Sequence, residues 1–180
     1  MARLLLIFLS ALSLAACKAP PPGETYALDE ATVKARLAEA EVPLMVFGEA
    51  GAKIDVERSE EDDGRKISWA LVYDGDEMFR YLATIAPETP TATHVSVQIM
   101  PGEGDKAQKT YARMKANADI AAMYGQAMLE EVDSKIEQRR FSMAPVYQKM
   151  MVAAFNHRDH IFPRTDSTSN SSAKSSESAD

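Results

Sequence analysis

The chain has 180 residues, 20 Lys and Arg against 27 Asp and Glu, a net charge of −7 at pH 7, and 46% hydrophobic residues. At about 150 residues per domain this is one domain with one core, and the acidic balance excludes binding driven by nucleic-acid phosphates or by anionic membrane surfaces. Cys17 is the only cysteine, so no disulfide within the chain is open to it.

In chain order, Met1–Ala16 has the layout of a secretory signal: Arg3, an apolar run from Leu4 to Leu14, then small residues. A run of about 11 apolar residues is too short for a bilayer core, which takes about 20. Leu14-Ala15-Ala16-Cys17 resembles the bacterial lipobox, position by position. The resemblance implies diacylglycerol on the Cys17 thiol, cleavage before Cys17 and a fatty acyl group such as palmitate on its new amine. The alternative is an ordinary signal cut after Ala15 or Ala16. Two or more acyl chains, each CH₂ contributing about 0.8 kcal/mol, anchor a protein stably, and they leave no thiol for catalysis. Lys18, where an Asp in this family favours inner-membrane retention, implies the periplasmic face of the outer membrane. Without Arg3 the mature chain holds 19 basic and 27 acidic residues, a net −8.

Residues 17–25 read as the lipidated Cys and a Pro-rich tether. Pro20-Pro21-Pro22 favours an extended path of about 3.1 Å per residue, a spacer of roughly 20 Å. A single α+β domain is expected over residues 26–162. It opens with a short helix: Asp29 as N-cap, Leu28 and Val33 as a hydrophobic staple, Val33, Leu37 and Ala40 on one face, and Pro43 as the stop.

From Leu44 to Met100 the period becomes two. Four strands are expected, over Gly51–Arg58, Lys66–Tyr73, Glu77–Ile85 and Thr93–Ile99, with turns at Glu60–Gly64, Asp74-Gly75 and Pro87–Pro90. They make an antiparallel meander whose Trp69/Tyr81/Val97 side is covered by helices. A two-residue turn at Asp74-Gly75 sets Trp69 beside Arg80; a three-residue loop ending at Asp76 sets it beside Tyr81 and gathers the aromatics, and is preferred. Leu44–Phe47 reads as a further short strand.

Asp105 and Gln108 are spaced as a capping box. Ala107, Tyr111, Met114, Ala118, Ala121, Gly125, Met128, Val132 and Ile136 then recur at three or four. A helix over Lys106–Arg139 would run about 50 Å against about 33 Å for a ten-residue strand. It must overhang the sheet or bend, and Gly125 is the expected place. A last helix spans Met143–Asn156 with Val146, Met150 and Ala154 on one face. Residues 163–180 are Ser-rich, with no apolar residue larger than Ala beyond Pro163, and read as a disordered tail.

The candidate sites are thin. His157 and His160 flank Asp159, but a third ligand and a His-Glu-x-x-His pattern are missing, and a polar helix end explains them. His94, Ser96 and Gln98 read as a wet sheet face. Glu60-Glu61-Asp62-Asp63 lacks the ligand spacing of a calcium loop. Gly102-Glu103-Gly104 precedes a helix, but its acids would repel phosphate. No Gly-x-Ser-x-Gly elbow occurs. The expectation is a protein that is not an enzyme, with no catalytic, cofactor or metal residues; its one site residue is Cys17, for lipid attachment.

Met114, Met123, Met128, Met143, Met150 and Met151 sit in the helices, where thioethers fill cores or line adaptable pockets. Strands followed by a long helix resemble the second half of the polyketide-cyclase-like lipid-binding folds, which implies an apolar cavity between helix and sheet. The resulting expectation is a lipid-anchored envelope module at the periplasmic face. It would act through another envelope protein or a second copy, at whatever part of the long helix passes the sheet. The alternative is a carrier or sensor of a small apolar ligand held between helices and sheet.

Overall fold

A computed structural model describes residues 23–156; the signal segment and Cys17, and His157, Asp159, His160 and everything after them, lie outside the described residues. The fold is α+β, one antiparallel sheet with helices on one face. The strands are β1 (Gly23–Tyr26), β2 (Ile54–Glu61), β3 (Lys66–Tyr73), β4 (Asp76–Thr89) and β5 (Ala92–Pro101). Their order is β1-β5-β4-β3-β2. Alternation sends Ile67, Trp69 and Leu71 of β3, Phe79, Tyr81, Ala83 and Ile85 of β4, and Val95 and Val97 of β5 to one buried face. The Trp69/Tyr81/Val97 side is thus the covered one.

The sheet has five strands, not four. Gly23–Thr25, expected in the tether, pair with β5 from Gly23↔Ser96 to Tyr26↔Thr93. Gly23 is needed there: a Cβ would stand 2.1 Å from the Val95 carbonyl oxygen. Tyr26, 8% exposed, fixes the strand to the helical layer by donating its hydroxyl to Asp133.

The hairpin between β3 and β4 corrects one expectation and keeps its consequence. The turn is the two-residue Asp74-Gly75, φ +53° and +77°, with Tyr73 opposite Asp76. Trp69 still stands opposite Tyr81, because the register shifts after Val72↔Glu77 to Leu71↔Phe79 and Met78 becomes the extra residue. A bulge supplies what a longer loop was expected to supply. The next turn also contracts: β4 runs through Pro87 to Thr89, leaving Pro90-Thr91 between strands. The Ile85 N–H reaches back to the Arg65 carbonyl (2.8 Å). Pro87, two residues on, therefore turns its missing donor to the same side, beyond the last β3 pair at Lys66↔Thr84.

Four α-helices complete the fold: α1 (Glu30–Leu37), α2 (Gly104–Ala116), α3 (Ala118–Ile136) and α4 (Met143–Asn156). Asp29 caps α1, accepting from the Thr32 N–H at 2.9 Å, and Val33 and Leu37 are fully buried. The long helix of the sequence is two helices. They meet at Asn117 (φ −108°, ψ 79°), whose side-chain amide donates to the Arg113 carbonyl at 2.7 Å; such a bond competes with the helix's own ladder. Gly125 stays helical within α3. The expected capping box is absent: Glu103 is the N-cap without a side-chain bond, Asp105 lies inside the first turn, and the Gln108 amide donates back to the Gly102 carbonyl (3.1 Å). Met114, Met128, Val132 and Ile136 close one core with the sheet and α1.

Candidate functional site

Among the described residues, the polar groups singled out in the sequence do not assemble. His94 meets Thr25 across the β1–β5 ladder, Nδ1 to Oγ1 3.2 Å, while Ser96 is buried opposite Gly23. Among the described residues no carboxylate bonds either. The Glu60–Asp63 run is a hairpin tip fastened to α1: Lys34 donates to the Asp63 carbonyl (2.6 Å) and pairs with Glu30 (2.8 Å). The turn at Gly102-Glu103 is filled by the chain's own anion. Glu77 accepts the Glu103 N–H (2.9 Å) and two bonds from Arg80 (2.8 Å each), and Arg80 holds its carboxyl below the usual range. Among the described residues no three His, Cys, Asp or Glu stand close enough to hold a metal.

What the fold does build is apolar. Leu44–Phe47, expected as a strand, belongs to a 3₁₀ segment, Leu44–Lys53, that reverses at Gly48 (φ 59°, ψ −139°). Pro43 starts it, its carbonyl accepting the Val46 N–H at 3.2 Å. The segment lays Phe47 flat on Tyr124 of α3, ring centroids 4.5 Å apart and planes at 24°. Phe79 of β4 lies 6.1 Å from Tyr124 and meets Tyr81 edge-on at 5.6 Å, both favourable ring geometries. Tyr81 donates its hydroxyl to the Tyr124 carbonyl (3.3 Å).

The stacked pair separates two apolar hollows. The larger, about 810 Å³, is an open groove between the 3₁₀ segment, the start of α3 and α4, lined by Met45, Phe47, Ile120, Met123, Tyr124 and Met150 among others. The smaller, about 310 Å³, has Phe47, Met78, Phe79, Met114 and Tyr124 in its walls. Among the described residues, the polar side chains of the larger groove are Asn117 and Tyr124, and burial pushes the Tyr124 hydroxyl up from its ordinary value, so it stays neutral. Its described lining is apolar, without an acid, base or nucleophile.

The sequence pointed to Met123 and Met150 but not to Met45, Phe47 or Tyr124. The groove is not enclosed between helix and sheet, and the single long helix of the sequence is two helices, α2 and α3, joined at Asn117. No described helix is long and apolar enough to cross a membrane. No protein-family model matches this chain, and comparison with curated proteins finds no match.

Proposed function

We propose that the protein is a lipid-anchored module of the bacterial envelope, fastened through Cys17 and working without catalysis by taking an apolar element of another protein into this groove. The observation that carries the reading is the groove itself. An open trough about 810 Å³ in volume, lined by Met and aromatic side chains, suits the apolar face of a partner helix. Its Met-rich walls repack around different partners.

A photo-crosslinking residue at Met45, which is 63% exposed on the rim, tests this in intact cells. A discrete protein adduct that disappears with Met123→Glu supports the reading; adducts made only with lipid or small molecules contradict it. The second reading, a carrier of a small apolar ligand, draws on the neighbouring 310 Å³ cleft. A ligand displacing the Phe47–Tyr124 stack would join the two hollows, and their volumes lie in the range of ligand sites.

A further inference from the structure

We infer that β2, an edge of the sheet, takes on an extended segment of another protein in which basic and apolar residues alternate. The strand order leaves β2 paired on one side only, to β3, from Ile54↔Tyr73 to Glu61↔Lys66. In an antiparallel ladder every other residue turns its N–H and C=O toward its neighbour strand, and the residues between turn theirs outward. From Glu57 to Glu61 every residue of β2 is exposed, so the outward groups along that length are open. Such a row of donors and acceptors is a template for one more strand. The other edge, β1, offers only four residues.

The two faces of this edge differ, and together they specify the segment. On the helix-covered face a hollow of about 410 Å³ lies between β2 and the chain that leaves α1, with Val42, Leu44, Val56 and Trp69 in its walls beside Glu41 and Arg58. An added strand sets alternate side chains on that face, next to Val56, where apolar ones fit. On the opposite face it sets them next to Asp55, Glu57 and Glu61. Asp55 and Glu57 stand across from Val72 and Ala70 of β3, and only Glu61 has a cation across from it, Lys66; among the described residues none of the three forms an ion pair. The one cation of β2, Arg58, lies on the other face and is held by Glu60 at 2.7 Å. β2 thus carries four acids against one cation. A second copy pairing through its own β2 would set acid against acid, whereas Lys or Arg beside Asp55 and Glu57 is attracted. The hollow shares no lining residue with the Met-lined groove, so the inference goes beyond the proposed contact function.

The test titrates the full native chain with an end-capped peptide of alternating Lys and Val, eight residues long like β2. It follows the emission of Trp69, the chain's one tryptophan, and amide hydrogen exchange. A saturable change in emission is expected, with exchange slowed in β2 and unaltered in β1. Two further peptides are N-methylated, one at every Lys and the other at every Val. Since only one set of N–H groups faces β2, one of them is expected to bind like the parent and the other to lose binding. Asp55→Lys with Glu57→Lys is expected to weaken the parent peptide about tenfold, and a peptide of alternating Glu and Val is expected not to bind. No saturable change, slowed exchange elsewhere with β2 unaltered, the two N-methylated peptides behaving alike, or undiminished binding to the double variant overturns the inference. Exchange in β2 that slows with protein concentration alone also overturns it, by showing a second copy on that edge.

Discussion

Asp133 and Tyr26 hold the first strand to the third helix, and their chemistry is that of a buried pair. Burial raises the Asp133 carboxyl above the ordinary carboxylate range, against the lowering effect of the Tyr26 hydroxyl. Folding therefore favours the protonated acid there, and the stability contributed declines as pH rises from the unfolded value through the folded one. Asp133→Asn keeps an acceptor for Tyr26 and is expected to remove that decline with little loss of stability. Asp133→Leu leaves the hydroxyl unpaired and is expected to cost about 1–3 kcal/mol. Urea unfolding of both variants across pH separates the two outcomes. Glu30 has the opposite sign. The Arg65 side chain, then Lys34, lowers it from 4.5 to about 2, so its stabilisation is present above 4.5 and lost as pH falls toward 2. Glu30→Gln is expected to flatten the unfolding midpoint over that window, and an unchanged acid limb contradicts the assignment. At this scale the sequence was informative where partners are local: the Asp29 cap bonds Thr32 three residues on. Tyr26 and Asp133 are 107 positions apart, and no spacing links them.

The elements were legible in proportion to their length. Seven to nine residues of alternation revealed β3, β4 and β5, and the requirement that Trp69 and Tyr81 share a buried face favoured their pairing. Where the extra residue would go was not legible, since packing of Leu71 and Phe79 decides between a loop residue and a bulge at Met78. Gly75 tests the turn. A methyl there meets no atom within 4 Å, so the cost of Gly75→Ala comes from φ +77° alone. A loss of about 1 kcal/mol is expected, and a neutral result in thermal unfolding contradicts the turn assignment. Four residues are too few for periodicity to show, which is why β1 read as tether. Gly23→Ala should release it: hydrogen exchange is expected to quicken at Thr25 and Tyr26 while Tyr81 and Val97 stay protected, and unchanged exchange at β1 contradicts the close approach to Val95. The helix break at Asn117 was hidden because the apolar spacing of three and four runs across it unbroken.

At the scale of the molecule, the period change from helix to strand and back gave the α+β class, and the length mismatch between helix and sheet required either an overhang or a bend. The groove was not legible. Its walls come from residues 45–48, 117–124 and 150–154, whose proximity is set by the tertiary fold and by a 3₁₀ segment that looked like a strand. The groove gives the domain an open apolar surface on a chain of net −7, and the proposed function keeps it beside a membrane. That placement rests on the chemistry of one sulfur atom. Intact-mass analysis of the N-terminal peptide from the native protein, compared with Cys17→Ser, tests it directly: the account predicts a chain beginning at Cys17 and carrying diacylglycerol and a further acyl group, with both lost in the variant. A native chain that begins elsewhere, or bears a free thiol at Cys17, contradicts it.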